Sequence, residues 1–207
     1  DRINISLDTL DPKKFKEITR RDNLDQVLKG IKAAVKAELN PVKLNVVLMK
    51  GINDDELFDF VELSRREKLS IRFIEYMPLG GEAEAEKFIS SSRIKKLIKE
   101  KYELLPAVSK GNGPASYFKI EGAAGTIGFI SAVSEHFCSS CNRLRLTADG
   151  RFKPCLAGDQ EVKINEISNK KIEAADANNN KLILEKVINP EYTIIGDKVI
   201  ESANLWS

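Results

Sequence analysis

The first ninety residues alternate between strand-like and helix-like segments, and this order limits the fold more than any other feature. The predicted strands are Arg2–Leu7, Val42–Met49 and Ile71–Met77. Strands joined by helical crossovers at this spacing form parallel βαβ units, so the sequence predicts an α/β fold. Three strands are too few to close a barrel, and we expect earlier strands of the sheet upstream of Asp1.

Local signals place the helices and the later strands. Asp11 before Pro12 predicts a helix start, because an Asp side chain caps the first turn and proline suits the first helical position. A second helix is predicted after Asn23, and Asn53 with Glu56 three residues later predicts a capping box for a third. The remaining predicted elements are a helix over Ser91–Lys101, strands over Tyr117–Ile120, Thr126–Ile130 and Tyr192–Ile200, and a strand or helix over Leu182–Ile188.

The bulk composition excludes several classes of function. A net charge of +2 with 31% charged residues gives no overall field that would demand nucleic acid or an anionic membrane as partner. No apolar run reaches the length that spans a bilayer. The three cysteines are an odd number, which disfavours a secreted disulfide framework and favours a reduced, cytoplasmic setting.

The cysteines fall close together, as Cys138-x2-Cys141 followed by thirteen residues and then Cys155. Two cysteines separated by two residues can bend round one metal centre. Asp149-Gly150 predicts a two-residue hairpin turn, which would set Cys155 opposite Leu144 and bring the third thiol toward the same site. A shift of one residue in that pairing would turn Cys155 to the other face of its strand.

Three interpretations of these cysteines compete. They could be buried as small hydrophobic residues, although all three lie within eighteen positions and none occurs elsewhere. They could form a closed zinc site with His136 as the fourth ligand. They could instead hold a [4Fe–4S] cluster with one iron left open to substrate. The spacing by itself leaves zinc and iron–sulfur open.

Arg143 and Arg145 favour the iron–sulfur interpretation. Residues two apart on a strand share a face, so both guanidiniums would project beside the metal, and arginine suits the bidentate binding of phosphate. A solvated strand edge guarded by charge is the alternative explanation for this pair. An arginine pair beside an open iron better fits a phosphorylated substrate held against a cluster.

Polar side chains interrupt all three predicted strands, although parallel strands are normally apolar on both faces. One such residue would usually be a satisfied structural group, but three successive strands suggest a solvated cavity that a ligand completes. Lys43 could there meet an anionic ligand, and Met77 lies at a carboxyl-terminal strand end, where α/β folds bind ligands. The interrupting residues are Asn4, Ser6, Lys43, Asn45, Arg72 and Glu75.

Five segments carry a resemblance to a known family and together span roughly residues 1–157. The sequence resembles the GTP 3',8-cyclase family of radical SAM enzymes, which acts in molybdenum cofactor (molybdopterin) biosynthesis. The run from Phe137 to Cys155, with its arginine pair inside the cysteine spacing, is the most specific match. The matching segments are Asp1–Leu10, Pro41–Val47, Ile71–Gly80, Gly113–Ala115 and Phe137–Cys155.

The resemblance implies a partial (β/α) barrel of the radical SAM type with a carboxyl-terminal α+β extension that carries an auxiliary cluster. It divides the chain into three parts. Residues 1–80 would form the second part of the barrel, and residues 81–157 the extension with the auxiliary iron–sulfur and GTP-binding motif. Residues 158–207 would form a divergent polar tail.

The resemblance also implies roles for individual residues. Cys138, Cys141 and Cys155 would ligate the auxiliary [4Fe–4S] cluster, whose open iron meets the guanine of GTP. Arg143, Leu144 and Arg145 match the GTP-binding triplet of the family, and Lys43 and Arg72 would be further GTP contacts. Ser6 and Met77 match positions that contact S-adenosylmethionine.

The implied reaction converts GTP to (8S)-3',8-cyclo-7,8-dihydroguanosine 5'-triphosphate. Reductive cleavage of S-adenosylmethionine at a first cluster gives a 5'-deoxyadenosyl radical, which takes hydrogen from the GTP ribose. As in other cofactor enzymes, the protein contributes placement and shielding. The implied partners are GTP, S-adenosylmethionine, an electron donor and, in a homodimer, a second copy of the chain, with no nucleic acid and no membrane.

The sequence departs from the family pattern in two ways. The Cys-x3-Cys-x2-Cys motif that holds the radical-generating cluster is absent, so we expect it upstream and expect no GTP conversion by this chain alone. The chain ends Asn204-Leu205-Trp206-Ser207 where the family has a Gly-Gly tail. Two alternatives therefore stand beside the enzyme: an inactive nucleotide-binding remnant, and a zinc-stabilised module that binds phosphate or nucleic acid, which the near-neutral charge disfavours.

Overall fold

The computed structural model describes residues 1–78, 82–108, 113–135, 145–153, 161–163, 192–195 and 198–201. The chain divides into two compact units, a first unit of Asp1–His136 and a second unit of Phe137–Ser207. The strands of the first unit are β1 (Ile3–Ser6), β2 (Val42–Leu48), β3 (Leu69–Glu75), β4 (Leu105–Ala107), β5 (Ser116–Lys119) and β6 (Thr126–Ile130). Its helices are α1 (Pro12–Thr19), α2 (Leu24–Lys36), α3 (Leu57–Arg66), α4 (Glu82–Ala85) and α5 (Ser91–Lys99), with a 3-10 turn at Asp54–Glu56.

The first unit is built on one six-stranded sheet in the order β1-β2-β3-β6-β5-β4. Strands β1, β2, β3 and β6 are parallel, which confirms the α/β fold, and β5 and β4 continue the sheet in antiparallel order. Strand β6 has the predicted bounds but pairs directly with β3, so the parallel part of the sheet has four strands instead of the three expected. The division between the barrel part and the extension at residue 80, which the resemblance implied, stays a prediction.

The hydrophobic core lies on one face of this sheet. Alternate residues of β2, β3 and β6 point to that face, and helices α2, α3 and α5 cover it. The rings of Phe73 and Phe129 pack with centroids 6.0 Å apart, and Phe118 meets Phe129 edge-on at 5.7 Å. The most buried members of the core include Leu44, Val46, Phe60, Val61, Ile71, Phe73, Ile94, Ile98, Ile127 and Phe129.

The predicted start of helix α1 is confirmed, whereas the predicted capping box is wrong. The Asp11 carboxylate accepts hydrogen bonds from the backbone N–H groups of Lys13 and Lys14 at 2.7 and 3.0 Å. Asn53 makes no side-chain cap. Its amide instead joins the loops that follow β1 and β2, so the 3-10 turn Asp54–Glu56 leads into α3 without a capping box.

In the second unit, a hairpin forms at the predicted turn but with a different register. Strands β7 (Arg145–Leu146) and β8 (Arg151–Lys153) pair Arg145 with Lys153, one residue away from the predicted alignment. The loop has three residues and not two, with Gly150 at φ 79° and the Thr147 N–H donating to the Arg151 carbonyl at 2.8 Å. The alignment that set Cys155 opposite Leu144 is therefore wrong for the described strands, and both of those residues lie outside the described part.

The second unit contains two small described sheets. Strand β9 (Val162–Lys163) adds to β8, and β10 (Tyr192–Ile195) pairs with β11 (Lys198–Glu201) in antiparallel order. The predicted single strand Tyr192–Ile200 is therefore a pair of short strands, while Leu182–Ile188 lies outside the described residues. Within the described parts of the chain, every helix is too short or too polar to cross a bilayer.

Candidate functional site

The face of the main sheet opposite the core carries two rows of polar residues. Strand register places Asn4, Lys43, Ser70 and Thr126 side by side as Cα partners. The next row toward the carboxyl ends contains Ser6, Asn45, Arg72 and Gly128. Because side chains alternate along each strand, both rows project from the same face, which we call the polar face.

Lys43 is a buried cation on the polar face. Its side chain is only 7% exposed, although lysine is rarely buried without compensation. The Nζ atom lies 5.5 Å from the ring centroid of Tyr117, within the range of a cation–π contact. Tyr117 belongs to β5 and is the Cα partner of Gly128.

Arg72 is a second buried cation in the adjacent row, and its residue is 9% exposed. One guanidinium Nη atom donates a hydrogen bond to Asn4 Oδ1 at 3.0 Å. The Nε atom of Arg72 and the Oδ1 atom of its neighbour Asn45 are buried and have no hydrogen-bond partner among the described residues. Because an unpartnered buried polar atom costs about 1–3 kcal/mol, these two atoms make the polar face a candidate binding site.

The two residues predicted to contact S-adenosylmethionine lie at carboxyl-terminal strand ends. Ser6 is the last residue of β1, is exposed, and shares its row with Asn45 and Arg72. Met77 follows the last residue of β3 by two positions and is 38% exposed, which is high for a methionine. The carboxyl ends of parallel strands are where α/β folds bind ligands.

Glu75 does not belong to the polar face, although the sequence grouped it with Arg72. It lies three residues after Arg72 and points to the core face, where it is 1% exposed. Its carboxylate accepts hydrogen bonds from the N–H groups of Ser91, Val133 and Ser134 at 2.7–2.8 Å and from the Ser134 hydroxyl. Burial raises the pKa of Glu75, but these hydrogen bonds outweigh burial and hold the pKa below its ordinary value.

Buried polar side chains also fix the loops after β1 and β2. The Asn53 amide donates to the carbonyls of Asp8 and Val47, and its Oδ1 accepts from the Met49 N–H at 2.7 Å. The Asp8 carboxylate accepts from the Val47 N–H at 2.9 Å. Burial raises the pKa of Asp8 and that hydrogen bond lowers it in part. These contacts fix the loop that follows Ser6.

Glu56 performs the same task for the start of helix α1. Its carboxylate accepts from the Thr9 hydroxyl at 2.6 Å and from the N–H groups of Leu10 and Asp11 at 2.8 and 3.1 Å. The sequence indicated this residue only as part of a helix cap. A buried carboxylate that binds a distant loop leaves no local sequence pattern, so its role required the structure.

In the second unit, Arg145 is the described member of the predicted binding motif. It is exposed on β7 and stands opposite Lys153, so two positive side chains are cross-strand neighbours. The predicted residues Cys138, Cys141, Cys155, Arg143 and Leu144, with the alternative ligand His136, lie outside the described residues. In the parts that are described, no three His, Cys, Asp or Glu side chains come together as a metal site.

Tyr117 is a site residue that the sequence patterns did not indicate. Its ring covers Gly128, because a Cβ placed at Gly128 would lie 2.9 Å from Tyr117 Cε1. A glycine inside a strand often marks a close approach, and Gly128 in β6 was the one available signal. The polar face thus offers two buried cations, an aromatic ring and unsatisfied amide and guanidinium atoms, a set suited to an anionic ligand that also has hydrogen-bonding groups.

Comparisons with known proteins find relatives of this chain that share about half of its residues over most of its length. A GTP 3',8-cyclase of Petrotoga mobilis is 50% identical over 167 residues, which are 80% of this chain and 52% of that protein. A GTP 3',8-cyclase of Thermodesulfovibrio yellowstonii is 52% identical over 168 residues, with the same shares of 80% and 52%. One of Moorella thermoacetica is 51% identical over 165 residues, or 79% and 51%. The chain spans about half the length of the curated relatives that it matches.

The parallel sheet with its helical crossovers defines an α/β protein, and residues 1–64 match the model of the Radical SAM superfamily. Residues 69–190, more than half of the chain, match the model described as Molybdenum Cofactor Synthesis C. The chain belongs to the Molybdenum Cofactor Synthesis C family.

Proposed function

We propose that this chain is a segment of a GTP 3',8-cyclase and binds GTP for its radical SAM conversion to (8S)-3',8-cyclo-7,8-dihydroguanosine 5'-triphosphate. The observation that carries the proposal is the polar face, where Lys43 and Arg72 lie buried beside unsatisfied atoms of Asn45 and Arg72. Family membership and the activity for which the relatives are named support the choice of substrate.

The polar face accounts for the binding of a polyphosphate. A buried guanidinium is expensive unless a negative group or several hydrogen bonds compensate it. Among the described residues, Arg72 reaches only the neutral amide of Asn4. A phosphate oxygen at the free Nε position would supply both charge and acceptor, and a ligand donor would satisfy Asn45 Oδ1.

The hairpin of the second unit supports a further phosphate contact at Arg145. Like charges directly across two strands weaken the pairing, and Arg145 faces Lys153, which has the carboxylate of Glu161 at 3.9 Å. An anion that binds between these side chains would remove the repulsion. Arg143 and Leu144 are proposed to complete this binding motif, as the resemblance implies.

Cys138, Cys141 and Cys155 are proposed to ligate an auxiliary [4Fe–4S] cluster. Three thiolates suit such a cluster, which when bound offers one iron without a protein ligand to the substrate. Ser6 and Met77 are proposed to contact S-adenosylmethionine at the carboxyl end of the sheet. A second, radical-generating cluster needs cysteines that this sequence does not contain, so its ligands and an electron donor must come from outside these 207 residues.

The finer architecture follows from the same proposal. The four parallel strands would be part of a partial (β/α) barrel of the radical SAM type, and the extension proposed over residues 81–157 would carry the auxiliary cluster at its cysteines. In such an enzyme the side chains of the polar face would bind and orient the substrate. A cytoplasmic location and a homodimer are part of the proposal.

Anaerobic reconstitution with iron and sulfide tests the metal centre. We expect about four iron and four sulfide per chain and a brown protein, because one cubane cluster binds to three thiolates. One colourless zinc per chain would instead favour the closed site with His136 as fourth ligand and would overturn the cluster. Cys138→Ser is expected to abolish iron binding, and Ser139→Ala, one residue away, is expected to leave it unchanged.

Equilibrium binding of GTP tests the two arginines. Arg143→Ala and Arg145→Ala should each weaken GTP binding about tenfold or more, since a charge-assisted hydrogen bond contributes about 1.5–3 kcal/mol. Arg151→Ala is the matched control, because Arg151 lies on the same hairpin but is paired with Asp149 at 2.8 Å. If the Arg145 variant and the wild type bind GTP with equal affinity, Arg145 does not contact the phosphates as proposed.

A further inference from the structure

Tyr117 stands beside both buried cations of the polar face. Its ring centroid is 5.5 Å from Lys43 Nζ. The Cβ position of Gly128 lies 2.9 and 3.1 Å from two ring carbons of Tyr117 and 3.1 Å from Arg72 Cγ. The absent side chain of Gly128 is therefore what allows the ring and the arginine stem to lie close together.

The placement of the ring bears directly on the buried ammonium of Lys43. The face of a tyrosine ring is electron-rich and attracts an ammonium group, so the contact at 5.5 Å contributes to the placement of the Lys43 ammonium. The stem of Arg72 lies beside the same Gly128 position, with Cγ 3.1 Å from the Cβ that this glycine lacks. A ligand that binds to a cation already held in place loses less conformational entropy on binding.

We propose that Tyr117 is a positioning residue that orients Lys43 toward the triphosphate of the bound nucleotide. The inference rests on the proposed function, because it assumes that the polar face binds GTP. Gly128 contributes to this positioning, since any side chain at that position would displace the Tyr117 ring. The ring, and not the hydroxyl, is the part of Tyr117 that acts.

Binding of GTP and of inorganic tripolyphosphate to the full 207-residue chain tests the inference. Tyr117→Phe keeps the ring and should bind both ligands as the wild type does. Tyr117→Leu removes it and should weaken both about fivefold, the change expected from loss of one cation–π contact. Tyr117→Gln, with similar reach and no ring, is a second ringless variant in case the leucine variant does not fold, as judged by circular dichroism.

A double-mutant cycle separates positioning from a general structural effect. Tyr117→Leu should weaken tripolyphosphate binding in the wild type but add nothing further in a Lys43→Met background, because the tyrosine acts through that lysine. Equal losses in both backgrounds would overturn the inference, as would wild-type affinity in both ringless variants. If the wild-type chain binds neither ligand, the proposed function fails first and the inference fails with it.

Discussion

Glu75 is a single buried carboxylate that connects three parts of the first unit. It ends β3, and its oxygens accept from the first residue of α5 and from the backbone at Val133 and Ser134. The N–H group of Ser91, a fully buried residue, would otherwise have no partner, and the donors at Val133 and Ser134 lie in the partly buried chain that leaves β6. The end of β3 at Met77 and the chain that leaves β6 therefore depend on one ionised side chain.

Glu75→Gln should lower the free energy of unfolding by about 2–3 kcal/mol at pH 7, because an amide NH2 would face donors that now bind a carboxylate. The pH dependence has a defined sign. The folded-state pKa of Glu75 lies below its ordinary value of 4.5, so its contribution is present above that pH and is lost as pH falls through the folded pKa. Urea unfolding of both proteins should therefore show a difference at pH 7 that shrinks below pH 4.5.

Glu121→Gln is the control for this comparison, because Glu121 is exposed in the turn between β5 and β6. It should unfold like the wild type at every pH. A Glu75→Gln variant whose difference from the wild type stays constant across the acid range would contradict the role assigned to the charge.

At the scale of elements, two glycines differ in whether the structure leaves room for a side chain. Gly125 precedes β6, and a Cβ there would lie 2.0 Å from the Leu69 carbonyl oxygen and 2.8 Å from that of Glu67. Both contacts are with backbone, so no change of rotamer relieves them. Gly30 lies exposed within α2 and has no atom within 4 Å of its Cβ position.

Gly125→Ala should therefore destabilise the protein by about 3 kcal/mol, since β6 must move away from β3 to accept the methyl group. Gly30→Ala should stabilise it by about 0.5–1 kcal/mol, because alanine loses less backbone entropy in a helix. Thermal unfolding followed at 222 nm measures both changes. A neutral Gly125→Ala would mean that β6 does not depend on this close approach.

Element type could largely be predicted from sequence, because hydrophobic period and caps are local signals. The αβ alternation, the Asp11 cap and the bounds of β6 are all confirmed. The predictions that were wrong concerned features that depend on contacts distant in sequence or on turn geometry. Asn53 was expected to cap a helix but binds a loop 45 residues away, and the hairpin at Gly150 has a three-residue loop that shifts its register by one.

The residues of the candidate site also divide into those with a local sequence signal and those placed by distant contacts. Lys43 and Arg72 could be predicted because charged residues are unusual in parallel strands, and the structure places both on the polar face. Tyr117 could not, because a tyrosine on an antiparallel strand has many ordinary explanations. Only the pairing of β5 with β6 brings its ring over Gly128 and toward Lys43.

At the scale of the whole molecule, the sheet and the cysteines fall into different units. The six-stranded sheet and the described helices belong to Asp1–His136, while all three cysteines belong to Phe137–Ser207. The core of the first unit contains no cysteine and is formed by its own strands and helices. Its stability should therefore not depend on a metal centre in the second unit.

The combined variant Cys138→Ser, Cys141→Ser and Cys155→Ser tests this independence. After anaerobic reconstitution we expect it to lose the iron and sulfide that the wild type binds, because serine hydroxyls do not replace thiolates on such a cluster. Ellipticity at 222 nm reports mainly on the helices, which in the described chain lie in the first unit. The thermal midpoint of the combined variant, followed at this wavelength, should therefore match that of the wild type. Ser139→Ala with Ser140→Ala controls for changes in the segment that leave every thiol in place. A thermal midpoint that falls together with the iron content would contradict this independence. It would show that cluster binding stabilises the sheet, as expected if both units unfold together.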